Sequence, residues 1–121
     1  MASSVTTQLT ISSNNATSDT LSIVVNKTLS TKEPIIGIAR VSVGTTAVEV
    51  FAKTVTDITY AYLKNTHGTH TITVSDSVAP TAFLTLSPDE FAFIPIKASA
   101  GLKLTSSGAG AVVEYALFTK S

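Results

Sequence analysis

Apolar and polar positions alternate with a period of two along most of this chain. In Ile58-Thr59-Tyr60-Ala61-Tyr62-Leu63-Lys64, one face holds Thr59, Ala61 and Leu63, and the other holds Ile58, Tyr60 and Tyr62. In His70-Thr71-Ile72-Thr73-Val74, Ile72 and Val74 fall on one face, Thr71 and Thr73 on the other. Successive side chains leave a pleated strand on opposite sides, so this alternation marks half-buried strands. Asn65-Thr66-His67-Gly68 lies between the two segments and reads as a turn, because Asn and Gly tolerate positive φ. The two strands are expected to form an antiparallel hairpin. Further strands are expected over 5–11, 21–29, 35–43, 47–52, 82–86, 91–96, 102–105 and 112–119. Breakers separate them: Ser12-Ser13-Asn14-Asn15, Lys32-Glu33-Pro34, Gly44-Thr45-Thr46, Ala79-Pro80, Ser87-Pro88-Asp89-Glu90 and Ser106-Ser107-Gly108-Ala109-Gly110. Residues 48–55 offer the strongest helical temptation, but they are β-branched and alternating and are read as strand.

Short strands punctuated in this way predict an all-β protein, an antiparallel β-sandwich of jelly-roll type. Its core is expected to hold Ile72, Val74, Leu84, Leu86, Ile94, Leu102, Leu104, Val113 and Leu117. Residues 1–20 stand apart: they are rich in Ser, Thr and Asn, and Asp19 is their one charge. They are read as a polar N-terminal segment, either a loose first strand or an arm that packs on a neighbouring subunit. Residues 21–121 are read as a single sandwich domain.

Composition changes what that domain is expected to do. Only 13% of the 121 residues are charged, about half the share in an ordinary soluble domain. Net charge is zero and mean hydropathy is +0.36, so little in the surface charge keeps molecules apart. The eight basic residues are scattered singly among eight acidic ones. With no basic cluster to follow a phosphate backbone, no nucleic-acid partner is expected. No segment approaches the ~18 apolar residues of a membrane helix, and no membrane partner is expected. The first residues lack the basic and apolar regions of a signal peptide, so synthesis and folding in a cytoplasm are expected. Asn15-Ala16-Thr17 and Asn26-Lys27-Thr28 match the glycosylation pattern but are read as chance in a Thr-rich chain.

Candidate chemistry is sparse. There is no Cys, which removes disulfides and thiol catalysis. His67 and His70 are the two histidines; they are too few to fill a zinc shell, which takes three or four protein ligands. No metal and no cofactor are expected. Asp89-Glu90 is the one adjacent carboxylate pair. Pro88 before it fits the second position of a type I turn, and a turn accounts for the whole Ser-Pro-Asp-Glu run. Gly108-Ala109-Gly110 is followed by strand residues rather than by a helix whose N-terminus would hold phosphate, and no Gly-x-Ser-x-Gly elbow is present. No catalytic residue is assigned.

The aromatic residues are more informative. Phe91 and Phe93 share one strand face, opposite Ala92 and Ile94. Tyr115 falls with Val113 and Leu117, and Phe118 with Val112, Glu114 and Ala116. Strands that are apolar on both faces are central in a two-layer structure or covered by a neighbour. Phe91, Phe93 and Phe118 are therefore the candidate interface residues.

Four segments form a progression: Tyr60-Ala61-Tyr62-Leu63-Lys64-Asn65, then Thr71-Ile72-Thr73-Val74, then Phe83-Leu84-Thr85-Leu86-Ser87-Pro88-Asp89-Glu90-Phe91-Ala92-Phe93-Ile94-Pro95, and last Val113-Glu114-Tyr115. This progression, over residues 60–118, resembles small virion proteins of tailed bacteriophages, especially those of aquatic and cyanobacterial phages. The resemblance implies a non-enzymatic capsid decoration (cement) protein, with the major capsid protein as partner, a trimeric homo-oligomer, and a place in the virion assembled in the host cytoplasm. A tail, neck or fibre component, and a carbohydrate- or receptor-binding β-module presenting Tyr60 and Tyr62, are the alternatives. The resemblance carries over no functional residue.

Overall fold

In a computed structural model the chain is all-β, built from antiparallel sheets. The structure describes residues 3–15, 20–32, 36–51, 58–77, 81–97 and 100–121. Among them are ten strands and no helix: β1 (Ser3–Ser13), β2 (Leu21–Thr31), β3 (Ile36–Val43), β4 (Val48–Phe51), β5 (Thr59–Asn65), β6 (Ile72–Ser75), β7 (Ala82–Leu86), β8 (Phe91–Ile96), β9 (Leu102–Ser106) and β10 (Ala111–Thr119). Each expected strand is present; the ends expected at 35 and 52 lie outside the described residues, and the others move by at most two residues. The breakers at Glu33-Pro34 and Ala79-Pro80, Asp19, part of the 15–17 acceptor pattern, and residues 52–55 of the 48–55 segment lie outside the described residues.

The body consists of two four-stranded sheets, β3-β10-β5-β8 and β4-β9-β6-β7. The pairing is nested. The first strand of the body bonds the last, β4 bonds β9, β5 bonds β8, and β6 bonds β7. The chain is in effect a doubled ribbon whose bend is the β6–β7 hairpin. Every other connection between consecutive body strands changes sheet.

The core lies between these sheets. Leu63, Ala61 and Val113 from one sheet meet Ile72, Val74, Leu102 and Leu104 from the other, all without exposed surface. Of the expected core, Leu84 and Ile94 are half-buried and pack against this cluster, and the other seven are buried. The alternation of β5 is realised as read: Thr59, Ala61 and Leu63 are buried and Tyr60 and Tyr62 point outward.

The expected hairpin between 58–64 and 70–74 does not form. β5 bonds β10 and β8, whereas β6 bonds β9 and β7 in the other sheet. Residues 66–71 carry the chain across the layers, and Asn65 sets the crossing. Its side chain is fully buried. It donates to the carbonyls of His70 at 2.8 Å and Leu86 at 3.1 Å, and its Oδ1 accepts the His67 amide at 3.0 Å. One buried amide thus ties β5 to the crossing loop and to the end of β7. The positive φ expected near this turn falls elsewhere, at Gly110 (85°) and Asp89 (64°). Asp89 is the third residue of the Ser87–Glu90 turn, closed by a 3.0 Å bond from the Glu90 amide to the Ser87 carbonyl. A positive φ there belongs to a type II turn, not to the type I turn read from Pro88.

β1 and β2 form a separate two-stranded sheet, paired from Ser3–Thr31 to Ser13–Leu21. The expected division of the chain at residue 20 falls inside this hairpin. Its base is fastened to the end of β10. Lys32 N donates to Thr119 O at 2.8 Å, Ser121 N donates to Ser30 O at 3.1 Å, and Thr31 pairs with Lys120. Along their length these two strands are hydrogen-bonded only to each other.

Candidate interaction face

The outward face of β3-β10-β5-β8 carries two of the three exposed phenylalanines, Phe91 and Phe93; the third, Phe83, is on β7. Strand register lays the face out in rows. Phe118, Tyr60 and Pro95 lie side by side across β10, β5 and β8; next come Ala116, Tyr62 and Phe93; then Glu114, Lys64 and Phe91. The three candidate interface residues are therefore brought onto one surface, with Phe118 two strands away from the phenylalanine pair. Phe91 is 64% exposed and Phe93 37%, and Phe118 is half-buried. β8 is the edge strand of its sheet, which is why Pro95 is accommodated: an edge strand has an outer side where a missing amide hydrogen breaks no ladder.

Two interactions hold the face in shape. The rings of Tyr60 and Phe93 lie nearly parallel, 9° apart in tilt with centroids at 6.0 Å. The Tyr62 hydroxyl donates to Glu114 Oε1 at 3.1 Å. Burial raises the Tyr62 phenol above its ordinary value of 10.0, and the hydrogen bond to Glu114 and that carboxylate's negative charge push it the same way. Arg40, on the neighbouring β3, reaches the other oxygen of Glu114 at 3.4 Å. The arginine side chain is mostly in solvent, so this pair orients Glu114 more than it stabilises the fold.

The hairpin has two unlike faces, because paired residues of antiparallel strands project to the same side. Val5 and Leu29, Leu9 and Val25, and Ile11 and Ile23 are cross-strand pairs on one face, with Thr7 and Lys27 among them. Thr6, Gln8, Asn26 and Thr28 lie on the other. The apolar face is partly open: Leu9, Ile11, Ile23 and Val25 are 39–52% exposed, whereas Val5 and Leu29 are half-buried. Between this face and the aromatic sheet runs a groove of about 500 Å³, lined by Thr7, Leu9, Val25, Tyr62, Phe91 and Phe93. The sequence reading missed the hairpin's amphipathic character. The signal was there in the i, i+2 spacing of Val5, Thr7, Leu9 and Ile11, but the polar composition of residues 1–20 masked it.

The remaining candidates lie in turns and contact their own backbone. The His67 and His70 rings stack with centroids 4.2 Å apart. His67 Nδ1 accepts the amides of Thr69 at 3.1 Å and His70 at 3.0 Å, which occupies that nitrogen with the turn's own backbone. Gly108 lies flat against His70, where a Cβ would come within 2.5 Å of the ring. Glu90 is engaged by the Ser87 amide at 2.6 Å. Among the described residues, no three His, Cys, Asp or Glu side chains gather as a metal site would need.

No known protein family, no curated protein and no solved structure matches this chain.

Proposed function

We propose that this chain is a non-enzymatic structural protein of a tailed-phage particle, a capsid decoration protein that bridges capsomers by contact with the major capsid protein, built as a jelly-roll sandwich. The nested pairing of β3 with β10 through β6 with β7 supports the jelly roll, which is a doubled antiparallel ribbon wound into two facing sheets. The observation that carries the functional reading is the open apolar surface. An aromatic sheet face and an amphipathic hairpin lie side by side on a chain with little charge to keep it apart from other protein. Exposed patches of this kind mark protein–protein contact. At about 25 cal/mol per Å² of apolar area, a modest contact repeated around a shell sums to a large stabilisation.

Co-sedimentation with purified phage heads tests this reading. The protein should pellet with heads at a fixed ratio and raise the temperature at which they open. Failure to bind heads would remove the decoration reading and leave a tail, neck or fibre role. A second reading, a carbohydrate-binding module, is favoured by the outward Tyr60 and Tyr62. Glycan-array binding that disappears in Tyr62→Ala would put it ahead.

A further inference from the structure

The groove separates two surfaces of one chain that are chemically alike. One is the apolar face of the β1–β2 hairpin; the other is the aromatic face of β3-β10-β5-β8. We propose that the hairpin docks on the aromatic face of a second copy of this chain, so that subunits exchange hairpins reciprocally. The proposal deepens the assembly reading above by naming the partner and the contact.

Three observations carry it. First, the hairpin needs a surface. A two-stranded ribbon alone is marginal in water, and this one shares a sheet with no strand of its own body. Second, its own body is poorly placed to provide that surface. The bonds of Lys32, Ser121 and Thr31 to residues 119, 30 and 120 clamp the base of the ribbon, and the groove of about 500 Å³ stands between the two faces. Swinging the ribbon inward would cost those bonds. A hairpin arriving from another subunit is not held by that clamp. Third, the exposed area is more than half of what a standard interface needs. Leu9, Ile11, Ile23, Val25, Phe91 and Phe93 are 37–64% exposed. At side-chain surfaces of order 150–200 Å² each, these six alone expose roughly 500 Å², against roughly 800 Å² per partner in a standard interface. Reciprocal exchange uses both faces of every subunit and closes into a two-fold dimer.

Absence of Cys makes a direct test clean. Two chains are prepared, one Val25→Cys and one Phe93→Cys, and mixed under mild oxidation. The exchange predicts a disulfide between the two different chains, in excess of either like pair. A Val25→Cys/Phe93→Cys double variant that links only within one chain, with no cross-link in the mixture, would overturn it. As a second measurement, Leu9→Glu/Val25→Glu places charge on the hairpin face, away from the core. It should convert the oligomer to monomer while the body's melting temperature holds; an unchanged oligomer would count against exchange. Head binding separates the two proposals: a monomer that still binds heads sinks the exchange alone, and an exchanged oligomer that ignores heads sinks the decoration reading alone.

Discussion

Asn65 shows how much one side chain can decide. Its amide satisfies two carbonyls and its oxygen one amide, all at the point where the chain leaves one sheet for the other. Asn65→Ala removes these bonds together and leaves the partners buried. A cost of about 3 kcal/mol is expected in chemical denaturation, from an unsatisfied group or two at 1–3 kcal/mol each. Asn65→Asp should fare no better, because a carboxylate cannot donate to either carbonyl. Tyr62 provides a pH signature. Its phenol is raised by burial first, then by the bond to Glu114 and by that residue's charge. A raised folded value means that the unfolded chain loses this proton first. The contribution to stability is therefore fully present below pH 10.0 and is lost as pH rises through the folded value. An absorbance titration of phenolate should show a late-ionising component that disappears in Tyr62→Phe. Glu114→Gln should bring it earlier without restoring the ordinary value, since the larger cause is burial.

At the scale of elements, strand identity was legible and strand partnership was not. Period-two alternation located β7 and β8 to the residue, because burial on one face is a local demand written into i, i+2 spacing. It also predicts the fate of Leu104, which has no exposed surface. Leu104→Ala should cost roughly 2–5 kcal/mol in urea or thermal unfolding, the range for truncating a buried leucine. The partner of a strand is set by distant residues, and alternation does not record it. β5 and β6 carry strong patterns and a turn between them, which reads as a hairpin. Yet Asn65 is buried and bonded to Leu86, twenty-one residues on, and six residues separate the strands, whereas hairpin loops take two to five. The candidate face was legible for the same local reason. Phe91 and Phe93 had to share a side, and Phe118 had to oppose Tyr115. That these three would meet on one sheet depended on the order β10-β5-β8, which is a fact of topology.

For the whole molecule, the balance of charge and apolar surface sets how it meets other proteins. Antiparallel sheets in a monomer usually keep the outer face polar. Here one outer face carries Phe91, Phe93, Tyr60 and Phe118, and the hairpin adds Leu9, Ile11 and Val25 beside it. The charges near this surface are few: Glu114, already engaged by Tyr62 and Arg40, with Lys64 and Lys27. Association through it must therefore draw on burial rather than on ion pairs. Added salt screens exposed charge pairs within a Debye length of about 8 Å at physiological strength, but it leaves apolar burial intact, and sulfate strengthens it. Light scattering should accordingly report the same oligomer at low and high sodium chloride, with a tighter one in sulfate. Phe91→Ser should weaken it under all three conditions, because Phe91 is the most exposed aromatic on the face and supports no core contact. An oligomer that dissolves in moderate sodium chloride would instead assign assembly to the charged residues, and the aromatic face would lose its claim as the contact surface.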